Sequence, residues 1–179
     1  MYKIAFCGAH GTGKTTLVNI LAPELGIALI DKTIRKTYQG MSITDFEKCP
    51  PDLRAVIQNY LLLNQIERED GEGKDGFAAD RSVIDILAHA VADTSMSQSQ
   101  FAVYETLVKE RLKTYTHFVY LPIEFDVENE YLRANIDSRD KLAGIMKGYI
   151  DKWFKPGEYM VATGTVEQRL EKIRAFLKK

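Results

Sequence analysis

Apolar residues along this chain fall into short runs and helical stripes that alternate from one end to the other. Tyr2 to Cys7 is an apolar-rich run that reads as a buried strand. Leu17, Ile20 and Leu21 follow at helical spacing, so a first helix is predicted to reach about Ala22, with Pro23 after it and Gly26 closing the turn. Ile27 to Ile30 predicts a second strand, and the polar, basic stretch Asp31 to Gly40 comes next. Cys49-Pro50-Pro51-Asp52 breaks the chain and offers Asp52 as N-cap of a long helix, Leu53 to about Asp70. Tyr60 to Leu63, apolar on more than one side, are expected to be buried there. Of Gln58, Asn59, Asn64 and Gln65 most are expected to face solvent; one facing a cleft would suit base recognition.

Further along, Phe77 to Ala79 predicts a third strand and Val83 to Asp93 a helix with one apolar face. Gln100 to Tyr115 carries the stripe Phe101, Tyr104, Val108, Leu112, and His117 to Leu121 is a fourth strand. Glu124 to Arg139 is charged, and a helix then runs to about Phe154. Tyr159 to Ala162 is a fifth strand, and Thr165-Val166-Glu167-Gln168 fits a capping box opening the last helix. Strands alternating with helices imply an α/β fold: a five-stranded parallel sheet flanked by helices, in three layers. Ligands of such sheets bind beyond the carboxyl ends of the strands, which makes Asp31 and Arg35 candidates for chemistry.

Between the first strand and the first helix stands Gly8-Ala9-His10-Gly11-Thr12-Gly13-Lys14-Thr15, which fits the phosphate-binding P-loop G-x-x-x-x-G-K-[ST]. Its glycines let successive backbone N–H groups turn toward phosphate oxygens, and the helix N-terminus adds its positive dipole end. Lys14 is expected to reach the β- and γ-phosphates and Thr15 to hold magnesium. The ring N–H of His10 is placed to touch a phosphate or the acceptor. After the third strand, Asp80-Arg81-Ser82 supplies a carboxylate for magnesium and a guanidinium for an acceptor phosphate or the transferring group. Asp70 to Gly76 imitates a calcium loop only faintly, because Arg81 stands at the twelfth position where a glutamate is needed.

Composition narrows the picture modestly. The 179 residues suggest one domain, and a formal net charge of −1 speaks against a nucleic-acid partner. Cys7 and Cys49 form neither a metal-ligand spacing nor a disulfide framework. No apolar run has the length of a membrane span, and the chain opens directly on its first strand. A cytoplasmic protein without a signal peptide is therefore expected, with a homodimer left open.

Together these residues resemble the nucleoside and nucleotide kinases, in particular the compact group related to ribosylnicotinamide kinase and phage deoxynucleotide kinases. The resemblance rests on Gly8 to Thr16, Gln65 upstream of Asp80-Arg81-Ser82, the arginines between 133 and 139, and Thr163 to Arg169. It spans nearly the whole chain, so residues 1–179 are expected to form a single P-loop kinase domain with a short arginine-bearing lid at about 124–140. It implies ATP and Mg2+ as cofactors, with Lys14 on the triphosphate and Thr15 with Asp80 serving the metal. Gly8, His10, Gly11, Thr12, Gly13 and Thr16 would complete the donor site, and Gly164, Thr165 and Val166 would lie beside the adenine. Arg133 and Arg139 look like lid arginines that neutralise charge in the transition state. Asp31, Arg35, Gln65 and Arg81 would hold the acceptor, a nucleoside or a deoxynucleoside monophosphate. Such kinases usually space their carboxylate and arginine about three residues apart, and Asp31 and Arg35 stand one further. Asp31 is the candidate general base, needed if the acceptor is a hydroxyl. Nicotinamide riboside, a hydroxymethylated base in DNA, and a regulatory ATPase that transfers nothing are the rival readings. Tyr38 and Phe46 are candidates to stack on the acceptor base or to pack a lid.

Overall fold

The structure is a computed structural model that describes residues 1–31, 33–125 and 136–178. Five strands form one parallel sheet: β1 (Lys3–Cys7), β2 (Ala28–Ile30), β3 (Phe77–Ala79), β4 (His117–Tyr120) and β5 (Met160–Val161). Their order is β2-β3-β1-β4-β5, so the glycine loop leaves the central strand with β3 directly beside it. Seven helices are seen among the described residues: α1 (Lys14–Leu25), α2 (Thr33–Gly40), α3 (Pro51–Gly71), α4 (Val83–Asp93), α5 (Gln98–Leu112), α6 (Ile136–Trp153) and α7 (Val166–Phe176). Successive side chains of β1 point to opposite faces, and each face is sealed by its own core. Ile4 and Phe6 pack with Leu17, Val18 and Leu21 of α1 and Leu170 and Ile173 of α7. Ala5 and Cys7 pack on the opposite face with α3, α4, α5 and α6. This is the three-layer α/β arrangement that the alternation of elements implied.

Several boundaries differ from the sequence reading for physical reasons. Pro23 lies inside α1 rather than beyond it. A proline in the last turn forfeits a single backbone hydrogen bond, and Gly26 then ends the helix in a left-handed conformation. α3 begins on Pro51 with Pro50 as N-cap, which leaves Asp52 in the first turn as a charge favouring the helix dipole. In the middle of α3, Leu61 and Leu62 are buried, but Tyr60 and Leu63 are exposed. The stretch after β2 contains the short helix α2, which packs along α3. No helix among the described residues is long and apolar enough to cross a membrane.

Candidate active site

The loop from Gly8 to Gly13 wraps the carboxyl end of β1 and lines a cavity of about 360 Å3 with His10, Lys14, Thr15, Thr16, Asp80 and Arg81. Gly8 is required by close approach, since a Cβ there would lie 2.5 Å from the Leu121 carbonyl oxygen. The loop braces itself through the Thr12 hydroxyl, which donates to Ala9 O at 2.9 Å. Lys14 is buried, and its ammonium donates to the carbonyls of Gly8 and Ala9. Opposite it stands Asp85 Oδ1 at 4.0 Å, on a side chain with no exposure. The same carboxylate accepts from the Gly8 N–H at 3.2 Å and from the Ser82 N–H at 2.9 Å. Asp85 therefore joins the P-loop to the first turn of α4. Burial lowers the pKa of Lys14, and the Asp85 charge opposes that shift.

Thr15 and Asp80 are brought together as metal candidates: the Thr15 hydroxyl donates to Asp80 Oδ2 at 2.7 Å. The other oxygen, Asp80 Oδ1, is buried and has no hydrogen-bond partner. Burial raises the pKa of this carboxyl, with Thr15, Lys14 and Arg81 pulling the other way. An orphaned carboxylate oxygen next to a hydroxyl is a hard-oxygen set that fits magnesium. Among the described residues no group of three or more His, Cys, Asp and Glu side chains could hold a metal. A magnesium ion here would accordingly draw its other ligands from phosphates and water.

A second cavity, of about 490 Å3, opens beside α4 and is lined by Tyr38, Phe46, Arg54, Gln58, His89 and Asp93 among others. The rings of Tyr38 and Phe46 stack on each other, 5.7 Å apart and 7° from parallel. Arg54 pairs with Asp93 at 3.2 Å, yet its Nε is buried without a partner, as is Gln58 Oε1. Burial pushes the His89 imidazole down to about 3 and the Tyr38 phenol up to about 12. The charge of Arg81 is felt by His10, Lys14 and Asp80 of the first cavity and by His89 and Tyr38 of the second. Arg81 lines the first cavity, and its charge reaches His89 and Tyr38 of the second. It makes no ion pair among the described residues.

The other candidates divide. Arg139 is buried and clamps the P-loop from outside, its Nε donating to His10 O at 3.0 Å and its Nη2 to Phe125 O at 3.2 Å. Burial holds the His10 pKa low, reinforced by Arg139, Arg81 and Lys14. Its Nε2 is buried and unpartnered. Gly164 donates its N–H to the Glu124 carboxylate at 3.0 Å, Thr165 caps α7, and Val166 is partly exposed at its start. Asp31 lines neither cavity; its carboxylate lies 4.0 Å from Lys36 Nζ and its carbonyl accepts from Arg68. Gln65 is buried in hydrogen bonds to Thr33, Glu69 and the Arg81 carbonyl. Arg133 and the lid segment 126–135 lie outside the described residues, as does the Arg35 side chain.

Sequence reasoning missed Asp85, His89, Asp93 and the role of Arg169. Arg169 donates to Thr12 O at 2.6 Å and to Glu124 at 2.5 Å, tying α7 to the P-loop. One signal was readable: Ser82-x-x-Asp85 fits the capping-box pattern, and both reciprocal bonds are present. His89 and Asp93 carried no such signal. They lie four residues apart on α4 and acquire meaning only when α3 is placed against them.

A family model described as an AAA domain matches residues 3–169. Solved structures of similar fold include the NadR protein in complex with NR, with a TM-score of 0.70 at 15% identity. That match covers 99% of this chain and 50% of the other, so this chain spans about half the length of NadR. Deoxyadenosine kinase from M. mycoides, with the products dCMP and dCDP bound, gives a TM-score of 0.72 at 15% identity and covers 98% of both chains. The YorR protein from Bacillus subtilis, in complex with phosphorylated GDP, gives 0.53 at 14% identity, covering 98% of this chain and 95% of that one. No curated protein matches the chain.

Proposed function

This chain belongs to the AAA-domain family whose model spans residues 3–169, and from that premise we propose that it is a Mg2+- and ATP-dependent kinase. It moves the γ-phosphoryl group of ATP to a deoxynucleoside monophosphate or a nucleoside. The observation that carries this reading is a pair of cavities: Arg81 lines the P-loop cavity, and its charge reaches His89 and Tyr38 of the cavity beside α4. One has a lining suited to a triphosphate; the other has stacked rings and an unsatisfied amide suited to a base. A P-loop that only hydrolysed ATP would have no use for the second. The kinases among the similar structures support the same activity.

In the proposed reaction an acceptor oxygen attacks the γ-phosphorus as the bond to the β–γ bridging oxygen breaks, and ADP leaves. The Gly8–Gly13 loop and Lys14 neutralise the triphosphate, and magnesium at Thr15 and Asp80 would supply the remaining positive charge. Asp80 Oδ1 would gain in the ion the partner it lacks. Arg139 holds the loop against the lid base, and Arg81 takes the charge that develops between donor and acceptor. Gln58, Arg54 and the Tyr38/Phe46 pair form the acceptor-base pocket in this reading. A monophosphate is favoured over a hydroxyl acceptor for two reasons. Arg81 makes no ion pair among the described residues and can take a phosphate; Asp31, the candidate base, lines neither cavity. A phosphate oxygen is already anionic and needs no base.

The test is an ADP-release assay with magnesium and ATP across deoxynucleosides and their monophosphates. Turnover that depends on one acceptor class is the expected result. ATP hydrolysis unaffected by any acceptor would overturn the proposal.

A further inference from the structure

Two glutamines lie two turns apart on α3, both buried, and they meet different fates. Gln58 faces the acceptor cavity with its carbonyl oxygen unsatisfied. Gln65, 1% exposed, has both polar atoms of its amide engaged. Its Oε1 accepts from the Thr33 hydroxyl at 2.7 Å, while its Nε2 donates to Glu69 Oε1 at 2.7 Å and to the Arg81 carbonyl at 3.3 Å. Glu69 is completely buried and also accepts from Arg111 Nε at 2.7 Å and from the Tyr115 hydroxyl at 2.9 Å. That hydroxyl in turn accepts from the Val83 N–H at 3.3 Å. The network therefore grips the Arg81–Val83 segment twice, at the carbonyl of Arg81 and at the N–H of Val83.

Burying a carboxylate and a guanidinium here is an inefficient way to stabilise a core, since apolar side chains of the same volume do as well or better. The network's directional bonds at Gln65, Glu69 and Tyr115 fix one geometry, with Arg111 Nη2 left buried and unpartnered. The backbone they fix carries Arg81, whose guanidinium lines the P-loop cavity and whose charge reaches His89 and Tyr38 of the second; in a reacting site a misplacement of about 1 Å costs on the order of a hundredfold in rate. We propose that Gln65, backed by Glu69, Tyr115 and Arg111, is the positioning residue that aims Arg81 at the acceptor, and that it does not read the acceptor base. This rests on the kinase reading of the site.

The experiment compares the parent with Gln65→Met, which keeps the side-chain length, and with Tyr115→Phe, which removes only the hydroxyl. Each is made alone and combined with Arg81→Ala. The acceptor is whichever deoxynucleoside or monophosphate is turned over fastest by the parent, and single turnovers with enzyme in excess keep slow variants measurable. Gln65→Met is expected to lower kcat/KM for the acceptor by roughly tenfold to a hundredfold, with KM for ATP unchanged. Tyr115→Phe should shift the same parameters by less. Neither should reduce activity further once Arg81 is Ala. Equal fold-losses with and without the Arg81 side chain would overturn the proposal, as would a parallel rise in KM for ATP or parental kinetics in both variants. Parental kinetics in Arg81→Ala itself would instead defeat the role given to Arg81 in the proposed function, so the two failures are told apart.

Discussion

Asp85 is the residue on which the P-loop leans. Its carboxylate is wholly buried, yet it faces the Lys14 ammonium and accepts from two backbone N–H groups, one on the P-loop and one at the start of α4. Truncation in Asp85→Ala would leave a buried ammonium without its counter-charge and two buried donors without an acceptor. Roughly 3 kcal/mol of stability should go. In a domain of this size that lowers the melting temperature by roughly 6–12 °C, and a thermal melt without nucleotide measures it. A drop of only a degree or two would show that the contact is not structural. His89 tests the second cavity. Its imidazole is held at about 3 in the fold against about 6.5 for an unfolded histidine. A depressed pKa means the neutral form is the native one. The contribution of His89 is then whole above about pH 6.5 and is lost as pH falls toward 3, at about 1.4 kcal/mol per pH unit. His10 and His117 shift the same way, so the readout is the difference between parent and His89→Gln in denaturant titrations at pH 7, 5.5 and 4.5. Identical pH dependence in the two would refute it. At this scale the sequence was readable where function is local. Lys14, Thr15 and Asp80 announced themselves by motif, while the partnership of Asp85 with Lys14 needed the fold to bring α4 beside β1.

Among the elements, α7 does more than close the sheet. Its N-terminus carries a complete capping box, in which the Thr165 hydroxyl accepts from the Gln168 N–H and the Gln168 side chain accepts from the Thr165 N–H. Arg169 then reaches back to the Thr12 carbonyl of the P-loop. Gly164, at φ +100°, precedes the cap, and a Cβ added there would collide with Gln168 Oε1. Gly164→Ala should break the reciprocal bond, costing about 1 kcal/mol of cap energy, together with the strain of a left-handed alanine. Because α7 is tied to the loop through Arg169, KM for ATP should rise as well, and steady-state kinetics with a melt measure the two effects together. Lost stability with an unaltered KM would sever the link drawn between cap and loop. This box was legible because its residues are three apart in the chain. α2 was not, since Thr33 to Gly40 is short and polar and owes its shape to α3, against which Thr33 and Thr37 are buried.

On the scale of the whole molecule, the two halves of the site differ in how they are assembled. The cavity proposed to take the donor is built mainly from consecutive residues that follow the central strand, a pattern the sequence displays directly. The second cavity, proposed to take the acceptor, draws on α2, the segment before α3, α3 itself, α4 and α6, and no one stretch of the chain carries its pattern. The expectation that Gln65 would serve it was drawn from resemblance, and the packing of α3 presents Gln58 to that cavity and engages Gln65 elsewhere. The central placement of the cradle also has a thermodynamic consequence. A ligand there bears on β1, α1, α4 and α7 at once, so binding should stabilise the domain as one unit. With ATP and magnesium at about a hundred times the dissociation constant, linkage adds about 2.7 kcal/mol. That is roughly 5–11 °C in melting temperature for a chain of this length. Lys14→Met should melt lower without nucleotide, because Asp85 loses its counter-ion, and should show little further rise when ATP and magnesium are added. Magnesium removal by a chelator should shrink the shift in the parent, because Asp80 Oδ1 is then left to face the phosphates without a cation. If Lys14→Met kept the full ATP-induced shift, the triphosphate would have to bind somewhere other than this loop, and with it the division of the site into donor and acceptor halves would fall.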